Sequence, residues 1–130
     1  DGSEQSLLAL DHARAIAESF GSKLFLVHAF PRTSDLRDSI EYSNLVALRT
    51  KVGQAIIEAA RKQLGQTKIE VEEDLLEGPA ADAILSAADI RNCDLIVMGS
   101  RGMGSLKGMI FGSVSTKVSQ YAPCPVMVIR

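Results

Sequence analysis

Gly99, Gly102 and Gly112, followed at once by Ser113, are the residues whose types and spacing point most directly to chemistry. An apolar run, Leu95–Met98, precedes them and a helix-like stretch, Ser113–Tyr121, follows. Strand, glycine-rich loop and helix in that order can build an anion site. Glycines let the backbone approach a ligand closely, and the first N–H groups of the helix point at it. Two well-known loops of this kind do not fit. A P-loop needs Gly-Lys-Ser or Gly-Lys-Thr at its end, whereas Lys107 here precedes Gly108 and Met109. A dinucleotide fingerprint needs G-x-G-x-x-G, and the run from Gly102 through Gly104 to Gly108 is one residue too long and lies late in the chain. What remains is a long loop that folds over a nucleotide and brings Gly112-Ser113 to its phosphates.

Other chemistry-bearing residues give weaker signals. Arg101, Lys107 and Lys117 flank the loop and suit phosphate oxygens, although Lys117 reads better as solvated charge. Met103 and Met109 either cover a ligand, close the loop or meet a partner subunit. His12 and His28 form no zinc set with Cys93 and Cys124. The cysteines read as reduced structural thiols of a cytoplasmic protein. A net charge of -2 gives no basic excess for nucleic acid, and 5% aromatic residues with no Trp leave few stacking platforms. No apolar run approaches membrane-spanning length. The expectation is therefore no nucleic-acid or membrane partner.

One hundred and thirty residues suit a single domain, 1–130, with one core. The elements follow from periodicity. Leu7 to Phe20 predicts an amphipathic helix, with Ser3 or Ser6 as cap and Gly21 as stop. Lys23–Phe30 reads as a buried strand of a parallel sheet. After a polar stretch from Pro31 to Asn44, a second helix runs from about Tyr42–Leu45 to Leu64, its apolar face including Val46, Val52, Ile56, Ala59, Ala60 and Leu64. Gly53 counts against its continuity by about 1 kcal/mol relative to Ala. Lys68–Glu73 alternates as an edge strand, Pro79 starts a helix over Ala80–Ala88, Asp94–Met98 is a strand, and Val126–Ile129 is the last. The order αβαβαβαβ implies a three-layer α/β domain with right-handed crossovers. Asp1-Gly2-Ser3 reads as a turn into a helix with no strand before it, so a strand outside the given sequence is expected.

The pattern Gly99-x2-Gly102-x9-Gly112-Ser113, followed by Val114-Ser115, resembles the nucleotide-binding signature of the universal stress protein family. Asp1-Gly2-Ser3, Leu26–Ala29, Leu95–Gly102 and Cys124–Ile129 are similar to other segments of that family. The likeness covers essentially the whole chain and favours the ATP-binding branch. It implies a Rossmann-like, open parallel sheet of strand order 3-2-1-4-5, with the first strand absent from this sequence. It also implies ATP as ligand, with Mg²⁺ or Mn²⁺ on the phosphates.

The implied roles are specific. Asp1 resembles the acidic residue near the ribose and the metal-bound phosphate. The Ala29 backbone would meet adenine, beside His28. Met98 and Gly99 would pack near the nucleoside, with Gly102 and Gly112 admitting the phosphates. Ser113 and Ser115 would donate hydroxyls, and Val114 a backbone N–H. Ser113 could instead serve only as part of the helix start. A homodimer through the C-terminal edge strand, and unknown signalling partners, are further implications. Three functions stay open: an ATP-binding stress or signalling module with slow or no hydrolysis, a protein-interaction module with incidental nucleotide, and an ATPase or adenylate-chemistry enzyme.

Overall fold

The computed structural model describes residues 1–32, 40–104 and 111–130, with the side chains of 40 and 41 left aside. Its elements are α1 (Glu4–Phe20), β1 (Leu24–Phe30), α2 (Ile40–Leu64), β2 (Val71–Glu77), α3 (Ala80–Ile90), β3 (Ile96–Gly99), α4 (Ser113–Tyr121) and β4 (Val126–Ile129). Ser3 wins as the cap of α1, its hydroxyl accepting from the Ser6 N–H at 3.2 Å. Gly21 ends that helix in the left-handed region at φ 63°. The helix starts earlier than periodicity suggests because a cap, and not the first apolar residue, sets its entry.

The strands form two parallel pairs. β1 pairs with β2 from Leu24↔Val71 to Phe30↔Glu77, and β3 pairs with β4 from Ile96↔Val126 to Gly99↔Ile129. The β2 strand therefore begins three residues beyond Lys68 and runs on through Asp74, Leu75 and Leu76. Register with the apolar β1, and not local alternation, decides its extent. Helices α1 and α2 pack together on one side of the strands, and α3 packs with α4 on the other. This is the three-layer arrangement. Among the described residues β1 and β3 do not pair. A cavity of about 1290 Å³ lies between them, lined by Leu24–Ala29 on one side and Ile96–Gly99 on the other. It falls where the order 3-2-1-4-5 places its first strand.

Two cores flank this gap. Ala81 and Ala88 of α3, Ile96 of β3 and Val118 of α4 make one, with Val118 fully buried. Leu10, Leu26 and Leu64 make the other. Helix α2 is unbroken, and Gly53 explains how it packs. Gly53, Ile57 and Leu64 are buried while Val52 is 52% exposed, so the buried face is rotated by one residue from the expected one. A Cβ on Gly53 would meet Leu75 Cδ1 at 2.5 Å and His28 Cδ2 at 3.0 Å. The glycine sits where the helix comes closest to the strands. Phe20 also departs from its expected apolar role, being 81% exposed at the helix end.

Charges tie α3 to the sheet. Arg91, which caps the C-terminus of α3, pairs with Asp74 at 2.7 Å and with Glu72, and Glu72 also meets Lys23. The Phe25 ring lies under both cations, 5.3 Å from Lys23 Nζ and 5.0 Å from Arg91 Cζ. No helix among the described residues is long and apolar enough to cross a membrane.

Gly99 closes the approach of α1 to β3. A Cβ there would lie 2.9 Å from the Gln5 backbone carbon and 3.1 Å from its carbonyl oxygen. Backbone cannot rotate aside as a side chain does. Gly99→Ala is expected to lower unfolding stability by about 1–3 kcal/mol through overpacking, read from the midpoint of urea unfolding at unchanged slope.

Candidate functional site

The site lies where β3 gives way to α4. Ser100 continues the β3 ladder, its N–H donating to the Ile129 carbonyl at 2.6 Å. Its own carbonyl accepts from the Gly112 N–H at 2.7 Å and from the Ser115 hydroxyl at 2.7 Å. The two ends of the 101–111 excursion therefore meet at one carbonyl. Ser115 Oγ also accepts from the Gly112 N–H at 3.1 Å, and Ser115 is buried at 2% exposure. Inside α4 the ladder opens with the Thr116 N–H on the Gly112 carbonyl at 3.0 Å. The N–H groups of Ser113, Val114 and Ser115 precede it, outside that ladder, and give the helix a positive N-terminal end.

The N-terminal turn reaches the same place. Asp1 Oδ1 accepts from the Ser3 N–H at 3.1 Å and from the Ser3 hydroxyl at 2.7 Å, and Asp1 Oδ2 accepts from the Met103 N–H at 3.1 Å. The carboxylate thus bridges the start of α1 and the glycine-rich loop. It approaches Gly102 so closely that a Cβ there would stand 2.1 Å from Asp1 Oδ2. Gly102 has a reason in the protein itself, apart from any phosphate. Gly112 is different. Its φ of -83° suits any residue, and among the described residues a Cβ would meet Ser100 O at 3.5 Å, Arg101 Cα at 3.7 Å and Ser115 Oγ at 3.9 Å, all ordinary contacts. Among the described residues neither strain nor packing calls for glycine there.

The residues given nucleotide-binding roles from the sequence all line the large cavity: Asp1, Ala29, Met98, Gly99, Arg101, Gly102, Gly112, Ser113, Val114 and Ser115. The structure separates their availability. Ser113 is exposed at the head of α4, whereas the Ser115 hydroxyl is committed to the Ser100 carbonyl and the Gly112 N–H. Lys117 pairs with Asp82 at 2.6 Å, in keeping with surface charge. Lys107 and Met109 lie outside the described residues. Met103 is 79% exposed. Cys93 and Cys124 are free thiols beside the α3–α4 core, and burial raises the pKa of both. Among the described residues no group of three His, Cys, Asp or Glu side chains could hold a metal ion by itself. A cation here would need a ligand's own oxygens beside the Asp1 carboxylate.

The universal stress protein family model matches residues 1–130. The chain belongs to the universal stress protein family. Its relatives include a universal stress protein encoded beside a QAH/OAS sulfhydrylase in Thermus aquaticus. That protein is 36% identical over 132 residues, covering 100% of this chain and 93% of the relative. Among solved structures, universal stress protein UspA from Lactobacillus plantarum superposes with a TM-score of 0.88 over 100% of this chain and 92% of that one, at 22% identity. This likeness shows the fold. A universal stress protein solved in complex with cAMP matches with a TM-score of 0.74 and 30% identity, over 99% of this chain and 91% of that one.

One residue of this universal stress protein's site escaped the sequence reading. Ser100 is 1% exposed, lines the cavity and has a hydroxyl with no hydrogen-bond partner among the described residues. A serine between Gly99 and Arg101 gives no sign of burial, so only the fold reveals it.

Two outcomes follow from this geometry. Ser115→Ala removes a buried hydroxyl from two backbone partners and should cost about 1–3 kcal/mol in urea unfolding, whereas Ser113→Ala at the exposed helix start should stay within about 0.5 kcal/mol. His28 lines the same cavity beside Ala29, and burial lowers its pKa. The folded state thus prefers neutral imidazole. Stability contributed by that neutral form is present above the unfolded value of about 6.5 and is lost as pH falls below it. Thermal unfolding across pH 5–8 should show this loss, and His28→Gln should flatten it.

Proposed function

We propose that this chain is an adenine-nucleotide-binding stress-response or signalling module. It holds ATP with Mg²⁺ or Mn²⁺ and hydrolyses it slowly or not at all. The observation that carries the reading is Gly112. It is a glycine that no described residue of the protein requires, placed at the N-terminus of α4 where backbone N–H groups gather. The cAMP complex of a relative at 30% identity supports adenine as the base.

In this reading the phosphates lie against Gly112, Ser113 and Val114, with the Arg101 guanidinium alongside. Adenine rests by the Ala29 backbone, and Met98 and Gly99 face the nucleoside. Ser115 acts chiefly from beneath, by fixing Gly112 through its hydroxyl. Asp1 stands at the opposite rim, where its carboxylate, already oriented by Ser3 and Met103, would face the ribose or a phosphate-bound cation. Mg²⁺ commonly takes one or two carboxylates and completes its shell with phosphate oxygens and water, so one acidic residue is compatible with it. Rapid phosphoryl transfer would also need a group that directs the attacking water. The Asp1 oxygens are instead engaged in holding the loop, which supports binding over turnover.

Isothermal titration of the purified protein with ATP and Mg²⁺ tests the reading. Gly112→Ala should leave thermal stability nearly unchanged, since its Cβ meets only ordinary contacts, and should weaken ATP binding at least about tenfold by filling phosphate space. Equal affinity in the variant, or no binding by the parent protein, would refute it. We also propose a homodimer through β4, whose far edge is unpaired among the described strands and which exposes Met127 at 38%. Light scattering at micromolar concentration should give twice the chain mass, and a monomer mass would count against it.

A further inference from the structure

We propose that Cys93 and Cys124 are an oxidisable thiol pair that closes to a disulfide across the entries of β3 and β4. The proposal is independent of the nucleotide reading. Two backbone turns aim the cysteines at one place. Helix α3 ends in a Schellman turn: Asn92, left-handed at φ 49°, donates its N–H to the Asp89 carbonyl at 3.0 Å, and the Cys93 N–H donates to the Ala88 carbonyl at 2.9 Å. A residue in that last position commonly packs back on the turn it closes. Cys93 does so, against the cluster of Ala81, Ala88, Ile96 and Val118. Cys124 reaches the same cluster from the end of α4. Ala122 caps that helix, and Pro125 favours an extended backbone at Cys124.

Strand register sets the separation of the pair. Ile96 is opposite Val126, and the Ile96 N–H donates to the Pro125 carbonyl at 3.0 Å. Counting back two places puts Asp94 opposite Cys124, so Cys93 is one residue from the direct partner. Spacings of about 4.8 Å between strands and about 3.3 Å along them put the two Cα atoms about 6 Å apart. Disulfides span Cα separations of about 4.4–6.8 Å. Burial raises the Cys93 pKa, and a charge on Cys124 is near enough to raise it further. β4 lies along the edge of β3 away from the gap, so the pair belongs to strands that are joined here.

Closure needs one thiol that meets an oxidant. Cys124 is partly exposed and does not line the large cavity. A small disulfide such as oxidised glutathione serves as the oxidant. The Cys124 thiolate attacks one of its sulfurs, the glutathione S–S bond breaks, and one glutathione thiolate leaves from a mixed disulfide. The Cys93 thiolate then attacks Cys124 Sγ, which releases the second glutathione thiolate and forms the internal bond. The two protons given up by the cysteines go to the two glutathione thiolates, so the protein loses two electrons and glutathione gains them. Burial raises both cysteine pKa values, so thiolate is scarce at neutral pH and closure is slow. The ring that closes contains β3, the glycine-rich loop and α4. A bond there restricts the unfolded chain while lying at the opposite end of β3 from Gly99.

Incubation of the folded full chain with excess oxidised glutathione in mildly alkaline buffer, then alkylation and non-reducing peptide mapping, makes the test. The expected product is a linked Cys93–Cys124 peptide, with an intact mass lower by two hydrogen atoms and a single-chain mass under denaturing, non-reducing conditions. Its urea midpoint should rise and return to the starting value with dithiothreitol. Cys93→Ser and Cys124→Ser should each abolish the link and the shift. Glutathione retained on Cys124 without a link overturns the proposal, as do links between chains only, or thiols that stay unreacted when folded and join only in urea. A link that lowers the urea midpoint overturns it too, because the native turns would then have to distort to form it.

Discussion

The carbonyl of Ser100 receives two hydrogen bonds, one from the Gly112 N–H and one from the Ser115 hydroxyl. Much of the site depends on that arrangement. Through its own N–H, Ser100 belongs to the β3–β4 ladder, so the helix start is tied directly to the sheet. The chain between Arg101 and Phe111 leaves and returns at one point. Closure entropy grows only slowly with loop length, so such an excursion can be long while its ends stay fixed. The positive end of α4 is therefore positioned by two short bonds, whatever path the loop takes.

Glycine in this loop has three different causes, and the difference separates fold from function. Gly99 makes room for the first turn of α1, and Gly102 makes room for the Asp1 carboxylate. Among the described residues Gly112 makes room for nothing. The spacing of the three was legible from the sequence, and with it the family and the region of the site. Their separate causes were not, because each depends on a neighbour far along the chain, such as Gln5 or Asp1. Ser115 shows the same limit. A serine near a helix start reads equally as ligand donor or as structural tie, and only the carbonyl of Ser100 decides which bond it makes here.

For the fold, local patterns sufficed where local physics sets the boundary. α4 and β4 lie where a glycine-serine start, a proline pair and an apolar run place them. The patterns misled where packing decides. β2 slides to match β1, and the buried face of α2 centres on Gly53 because the strands approach it there. Arg91 was unremarked for a related reason. Its partners Glu72 and Asp74 and the ring of Phe25 are assembled only by the crossover of α3. Ion pairs that stay partly open to solvent, as these do, add little stability each. Their value is in fixing where the end of that helix meets β2.

The site and the gap between β1 and β3 are parts of one cavity, so their geometry is linked. Asp1 could be held in place from the sheet or from the loop. The bonds favour the loop side: Ser3 and Met103 occupy the carboxylate, and the Ser3 hydroxyl also lies 3.5 Å from the Arg101 carbonyl. A carboxylate anchored in this way orients the loop as much as the loop orients it. An acid that lines the same cavity as the positive end of α4 also divides that cavity by charge. Phosphate is drawn to the helix and repelled from the carboxylate unless a cation stands between them.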